Sequence, residues 1–239
     1  MPIYELTLTK QQKVAEGTLV FTFEKPEGFN FKPGQYGGFT LLNPVETDAL
    51  GITRRFSLLS TPEDTHITIA TRIDAGLKHS AYKRCLVELQ PGHKIKFAGP
   101  TGTFTLHEDV SKPAVFIAGG IGVAPFYSII KHHQAHQSQQ EIYLFYGNAT
   151  PQHAAFLNEL QSLVSSTFHF IPTMDQAPSS WQGESGFINN AMIKKYIKNL
   201  NAPTYYICGS PTMVTTLQEV LAEMQIDEDF IRTEDFPGY

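Results

Sequence analysis

The segment Ala118-Gly119-Gly120-Ile121-Gly122-Val123-Ala124-Pro125 places glycines between an apolar strand and an amphipathic helix. Glycines at such a junction let the backbone approach a pyrophosphate, and the helix start supplies N–H groups and a positive dipole end. Pro125 suits a first helical turn, where its missing N–H is not needed. The spacing is not G-x-G-x-x-G. The next strand ends in Tyr146-Gly147-Asn148-Ala149-Thr150, without the carboxylate that usually holds a ribose. A tight strand–helix turn without a ligand has the same composition.

A second chemical segment is Thr53-Arg54-Arg55-Phe56-Ser57-Leu58-Leu59-Ser60. Strand neighbours point to opposite faces, so Arg54 and Phe56 share one side and Arg55 and Ser57 the other. An arginine near an aromatic suits a phosphate beside a flat ring. A solvated arginine pair on a sheet edge reads the same in isolation. In Asp74-Ala75-Gly76-Leu77-Lys78-His79-Ser80, Gly76 and Ser80 precede a helix. They form either a phosphate cradle or a plain N-cap.

Other candidates read more simply. His132 and His136 are spaced i, i+4, which can chelate a metal. No third ligand is evident, so a polar helix end is expected and no metal site. The two cysteines, Cys85 and Cys208, exclude a four-Cys zinc or iron–sulfur site and a disulfide framework. Cys85 reads as packing. A net charge of −5 argues against nucleic acid as a partner.

The elements that carry these segments fall into two halves. Alternating runs at 4–8 and 19–23 and further short runs at 36–42, 56–59, 66–73 and 94–97, separated by Pro/Gly turns, predict an antiparallel barrel or sandwich. One helix interrupts them near 79–89. After about residue 106, non-alternating runs at 114–118, 142–146, 168–172 and 205–208 read as buried parallel strands. Helical periods lie between them: Phe126, Ile129, Ile130 and His133; Phe156, Leu157, Leu160 and Val164; Met213, Val214, Leu217, Val220, Leu221 and Met224. Strand–helix alternation predicts a doubly wound α/β domain. The expected boundary gives domains 1–106 and 107–239. No targeting segment is visible in the first residues, and the apolar stretch 114–130 is too interrupted to span a membrane. A cytoplasmic protein without membrane insertion is expected.

Seven segments in order resemble the ferredoxin–NADP reductase superfamily of flavoproteins. Arg54-Arg55-Phe56-Ser57 is similar to its R-x-Y-S, and Gly76–Ser80 to its G-x-x-S. Gly99-Pro100-Thr101-Gly102-Thr103-Phe104 is similar to G-P-x-G-x-F, and Gly119–Pro125 to G-G-x-G-x-A-P. Trp181–Gly186 is similar to W-x-G-x-x-G, Cys208–Met213 to C-G-x-x-x-M, and Glu234-Asp235-Phe236 to E-x-F. The resemblance spans about residues 33–236. It implies an N-terminal antiparallel Greek-key β-barrel that binds FAD, and a C-terminal doubly wound parallel five-stranded sheet that binds NADH or NADPH.

The resemblance also implies roles. Arg54 would pair with the FAD pyrophosphate, Phe56 would lie against the flavin, and Ser57 would hydrogen-bond near its N5. The backbone of Ala70, Thr71 and Arg72 would hold the isoalloxazine edge. Gly76, Leu77 and Ser80 would meet the pyrophosphate. Gly119, Gly120, Gly122 and Val123 would take the nicotinamide nucleotide's pyrophosphate, with Thr150, Gly209 and Met213 in the same pocket. Cys208 would sit beside the nicotinamide with Glu234 near, and Phe236 or Tyr239 would cover the flavin. Ser57, Cys208 and Glu234 are the expected catalytic set.

Departures from the family pattern bear on cofactor choice. Phe56 replaces the usual Tyr. No Arg follows Tyr146-Gly147, which removes one partner for a 2′-phosphate, although Lys194, Lys195 or Lys198 can substitute. The implied reaction is hydride transfer from NAD(P)H to FAD, then electron transfer to a separate acceptor. Ferredoxin, flavodoxin, a haem protein and an oxygenase component remain open, as do diffusible flavin and a non-catalytic regulatory subunit. Arg54, Arg55, Arg72, Lys78, Lys83 and Arg84 are a candidate docking cluster. The oligomeric state is not readable.

Overall fold

The structure is a computed structural model that describes residues 2–73 and 80–236. Six antiparallel strands form the first half: β1 (Ile3–Ala15), β2 (Thr18–Glu24), β3 (Tyr36–Leu41), β4 (Thr53–Ser57), β5 (His66–Arg72) and β6 (Lys94–Thr101). Their order is β4-β3-β6-β1-β2-β5. The two ends meet just past β4, where Leu59 N donates to Thr68 O at 2.8 Å, so the sheet closes as a Greek-key barrel. Alternation fills its interior with Leu6, Leu8, Phe21, Phe23, Phe39, Ile67, Ile69, Ile95 and Phe97. Helix α1 (Ala81–Val87) buries Tyr82, Cys85 and Leu86 against this core. β1 runs to Ala15, well past the expected Leu8, because β2 pairs with its polar second half.

The second half holds β7 (Ala114–Gly119), α2 (Ala124–Ala135), β8 (Ile142–Asn148), α3 (Leu157–Ser162), β9 (Phe168–Met174) and β10 (Glu184–Ser185). After these come α4 (Asn190–Tyr196), β11 (Thr204–Gly209), α5 (Pro211–Glu223) and β12 (Ile231–Asp235). The sheet order β10-β9-β8-β7-β11-β12 is parallel throughout and reverses direction beside β7, as in doubly wound folds. Six strands stand where five were expected. The sixth, β10, pairs only Glu184 and Ser185 with β9 and carries no apolar signal. Val164 was expected on the α3 face but lies past the helix end and is exposed.

The halves are packed together. Val20, Leu59, Ala70 and Phe104 from the barrel share a core with Phe116, Phe126, Tyr206 and Cys208. Ser128 Oγ donates to Ser60 O at 2.6 Å, and Arg232 Nη1 donates to Thr105 O at 3.0 Å. Among the described residues no helix is long and apolar enough to cross a membrane.

Candidate functional site

A cleft of about 720 Å³ opens between the two halves, at the carboxyl ends of β7 and β11. Ligands bind doubly wound sheets at that edge, beside the strand where the order reverses. The barrel contributes Tyr36, Arg55, Phe56 and Ser57 from β3 and β4, Ala70, Thr71 and Arg72 from β5, and Lys83 from α1. The other wall is Gly119–Gly122, Ala124, Gly209, Ser210 and Thr233–Phe236. Three consecutive residues of β4 reach the cleft, so it passes the end of that strand rather than one face.

The glycine wall is shaped by close packing. Gly119 ends β7, and residues Gly120–Val123 form a 3-10 turn that leads into α2. A Cβ on Gly122 would lie 2.3 Å from Cys208 O and 2.6 Å from its carbonyl carbon. Only glycine lets this turn sit against β11. Gly120 adopts φ +52°, in the left-handed region, with Arg72 Nη1 3.8 Å from where its Cβ would be. Met213 packs its sulfur beside Gly119 and Gly209, behind the cleft.

Two polar groups in the cleft are buried without a hydrogen-bond partner: Ser57 Oγ and Glu234 Oε2. Burial raises the Glu234 carboxyl to about 7, helped by the charge of Asp235, while the nearby Ser57 hydroxyl opposes the shift. Such orphans are rare in folded proteins and mark groups whose partner is a ligand or solvent. Phe236 lies beside them, its N–H donating to Gly209 O at 2.8 Å. Cys208 pairs with Glu234 across β11 and β12, but its thiol is fully buried in the core. Burial, then the charges of Glu234 and Asp235, push that thiol well above its ordinary value.

Of the residues expected from sequence, the cleft brings together Phe56, Ser57, Ala70, Thr71, Arg72, Gly119, Gly120, Gly122, Gly209, Glu234 and Phe236. Arg54, Ser80, Val123, Thr150, Cys208 and Met213 are not among its lining residues. Gly76, Leu77 and Tyr239 lie outside the described residues. Arg54 is 2% exposed and donates to the carbonyls of Leu50, Gly51 and Thr53 and to the Asp48 carboxylate at 2.7 Å. Asp48 also accepts the Ala81 N–H at the start of α1. An internal carboxylate thus sits where the arginine and the helix start together favour an anion. Ser80 caps α1 by accepting from Lys83 N at 3.3 Å. Thr150 Oγ1 lies 2.8 Å from His153 Nδ1.

Sequence reasoning missed Tyr36 and Thr233, which belong to no motif, and Ser210, which fills an unspecified position of the Cys208–Met213 segment. It placed Arg55 only in the docking cluster. The described members of that cluster do not form one exposed patch: Arg54 and Lys83 are buried, and Arg84 is paired with Glu46 at 2.6 Å, while Lys78 lies outside the described residues. Of the lysines offered for a 2′-phosphate, Lys195 is paired with Glu184 at 2.6 Å.

Residues 116–219 match the family model described as the oxidoreductase NAD-binding domain. The chain is 25% identical over 231 residues to a component of the Na(+)-translocating NADH-quinone reductase of Idiomarina loihiensis, covering 90% of this chain and 56% of that one. It thus spans little more than half the length of that relative. The fold matches an Amycolatopsis cytochrome P450 reductase, GcoB, with a TM-score of 0.83 at 23% identity, covering 100% of this chain and 72% of that one. It also matches a ferredoxin NADP+ reductase from Neisseria gonorrhoeae, solved with bound FAD and NADP, with a TM-score of 0.79 at 21% identity and 100% of both chains. Residues 116–219 are thus an oxidoreductase NAD-binding domain by their family model, and the whole length has the two-domain fold of these reductases.

Proposed function

We propose that the chain takes hydride from NADH or NADPH onto FAD held in this cleft, and passes electrons to a separate acceptor in the cytoplasm. The carrying observation is the pair of orphaned groups, Ser57 Oγ on the barrel and Glu234 Oε2 on the sheet. Each comes from a different half, and both line a cleft large enough for a nucleotide. The residues present therefore fit a flavin and a dinucleotide. When bound, FAD supplies the hydride-accepting and electron-releasing chemistry.

The chain's own groups then divide the work. Residues 1–106 hold the flavin nucleotide and 107–239 the nicotinamide nucleotide. Arg55, Arg72 and Lys83 put positive charge on the barrel wall of the cleft and attract phosphates. Arg54, locked to Asp48, holds the loop before β4 and the start of α1, where Gly76, Leu77 and Ser80 are assigned to the flavin pyrophosphate. Phe56 packs on Phe39 and Tyr82 and gives the flavin an apolar floor. The backbone of Ala70–Arg72 holds the ring edge. Gly119–Val123 bring N–H groups to the second pyrophosphate, and Thr150, Gly209 and Met213 frame that pocket. Glu234, poised between neutral and charged at pH 7, can hold or release a proton beside the Ser57 hydroxyl. Cys208 backs this site from the core. Phe236, or Tyr239, shields the reacting face from water.

The name of the Idiomarina relative supports NADH as donor; nothing in the cleft favours one acceptor. The test is anaerobic mixing of FAD-loaded protein with NADH and with NADPH. Loss of the flavin's visible absorption with either supports the reading. Loaded protein that neither nucleotide bleaches overturns it. Flavin lost on desalting, with turnover of added flavin retained, replaces bound FAD by a diffusible flavin substrate.

A further inference from the structure

The loop between β4 and β5 carries a carboxylate to helix α2. His132 Nδ1 lies 3.1 Å from the Glu63 carboxylate, and His136 Nε2 lies 3.6 Å from it. The two imidazole centroids are 4.1 Å apart. One ligand atom from each of the three residues lies within 4.8 Å of the others. The i, i+4 spacing supplied two nitrogens; the fold brings the third donor from 69 residues away.

The geometry suits a tetrahedral ion. Ligand bonds of about 2.0–2.1 Å separate neighbouring donor atoms by about 3.4 Å, and the two distances to Glu63 bracket that value. His136 Nδ1 lies 2.9 Å from the His132 carbonyl. A carbonyl only accepts, so Nδ1 carries a proton, and Nε2, the nitrogen on the Glu63 side, is the one left for a metal. That backbone contact is the kind that orients metal-binding histidines. The loop is held in place from several sides. Asp64 accepts from Thr61 N at 2.8 Å and pairs with Lys131 at 3.3 Å. Lys25 Nζ donates to Pro62 O and Asp64 O, and Ser128 Oγ donates to Ser60 O. The donors are thus positioned before any ion arrives. All three side chains remain open to solvent, so an ion has a path in.

We propose that Glu63, His132 and His136 bind a divalent transition-metal ion of the Zn²⁺ class, with water in the remaining position. Two imidazoles and a carboxylate select that class over Mg²⁺ or Ca²⁺. Glu63 belongs to the barrel half and the histidines to the nicotinamide half, so the ion clasps one to the other. None of the three lines the cleft, so the clasp acts on domain docking and not on hydride transfer.

The test is calorimetric titration of Zn²⁺ into flavin-loaded protein stripped of metal and free of any tag, paired with thermal melting. One Zn²⁺ per chain with micromolar affinity is expected, with a raised melting temperature and no response to Mg²⁺. Glu63→Gln should weaken binding about tenfold or more, and the His132→Ala/His136→Ala pair should abolish it. Unchanged flavin absorption in each variant shows that it has folded. No Zn²⁺ binding by the wild type, or equal binding by the double variant, reduces the cluster to a histidine–glutamate ion pair and overturns the proposal. Binding without a rise in melting temperature overturns the clasp.

Discussion

On the barrel side of the cleft, Arg55, Phe56, Ser57 and Arg72 offer side chains; on the sheet side, Gly119, Gly120, Gly122 and Gly209 offer backbone. A side-chain wall can lose one group and keep its scaffold, because β4 and β5 are held by their ladders and the barrel core. A backbone wall has no such reserve. Its approach to the ligand is also its approach to β11, so one added carbon strikes the structure that positions it. The two walls therefore differ in how far recognition and folding can be separated.

The strongest way to break the comparison is Gly122→Ala. The new carbon meets the backbone of Cys208, and β11 cannot retreat because β7 and β12 hold it on both sides. A loss of about 4 kcal/mol or more is expected in urea unfolding. Gly120→Ala meets only Arg72 Nη1 at 3.8 Å and carries the left-handed strain alone, about 1 kcal/mol. Similar costs for the two would show that the wall is not set by close packing.

Arg54→Ala comes next. It strips a buried cation from Asp48 and from three carbonyls, and should lower stability by about 3 kcal/mol in the same experiment. Glu234→Gln follows, with a sign that can be worked out. The folded carboxyl titrates near 7 against an ordinary 4.5, so the folded state holds the extra proton between those values. The associated stability is present below about pH 4.5 and is lost as pH rises through 7, by up to about 3 kcal/mol. Glu234→Gln should flatten that slope in nucleotide-free protein melted across pH 5–8; an unchanged slope would assign it elsewhere. The smallest expected stability change is in Arg55→Ala, within about 0.5 kcal/mol. The same variant should retain FAD more weakly, as read by flavin release on dilution. Unchanged retention would take Arg55 out of the side-chain wall.

Much of this was legible in the chain. Alternation at Phe21–Phe23 and Ile67–Ile69 required a one-sided strand interior, and the uninterrupted runs at 114–118 and 205–208 required strands covered on both faces. The glycine cluster after β7 marked the place where backbone must be bare. β10 and β12 were not legible as strands, because Glu184-Ser185 and Ile231–Asp235 have too few apolar residues to show a period. The paired arginines were ambiguous for a different reason. Alternation separates Arg54 from Arg55 but does not say which face meets the ligand.

Local composition thus determined the two-domain architecture and the positions of the bare glycine turn and the paired arginines, because backbone conformation and burial pattern are written into neighbouring residues. Tertiary structure alone decided that Arg54 turns inward to Asp48, that Ser57 and Glu234 share one cleft, and that Glu63 reaches His132 and His136. Each of those pairings joins residues whose separation depends on how the loops and the two sheets close, and no local periodicity encodes that distance.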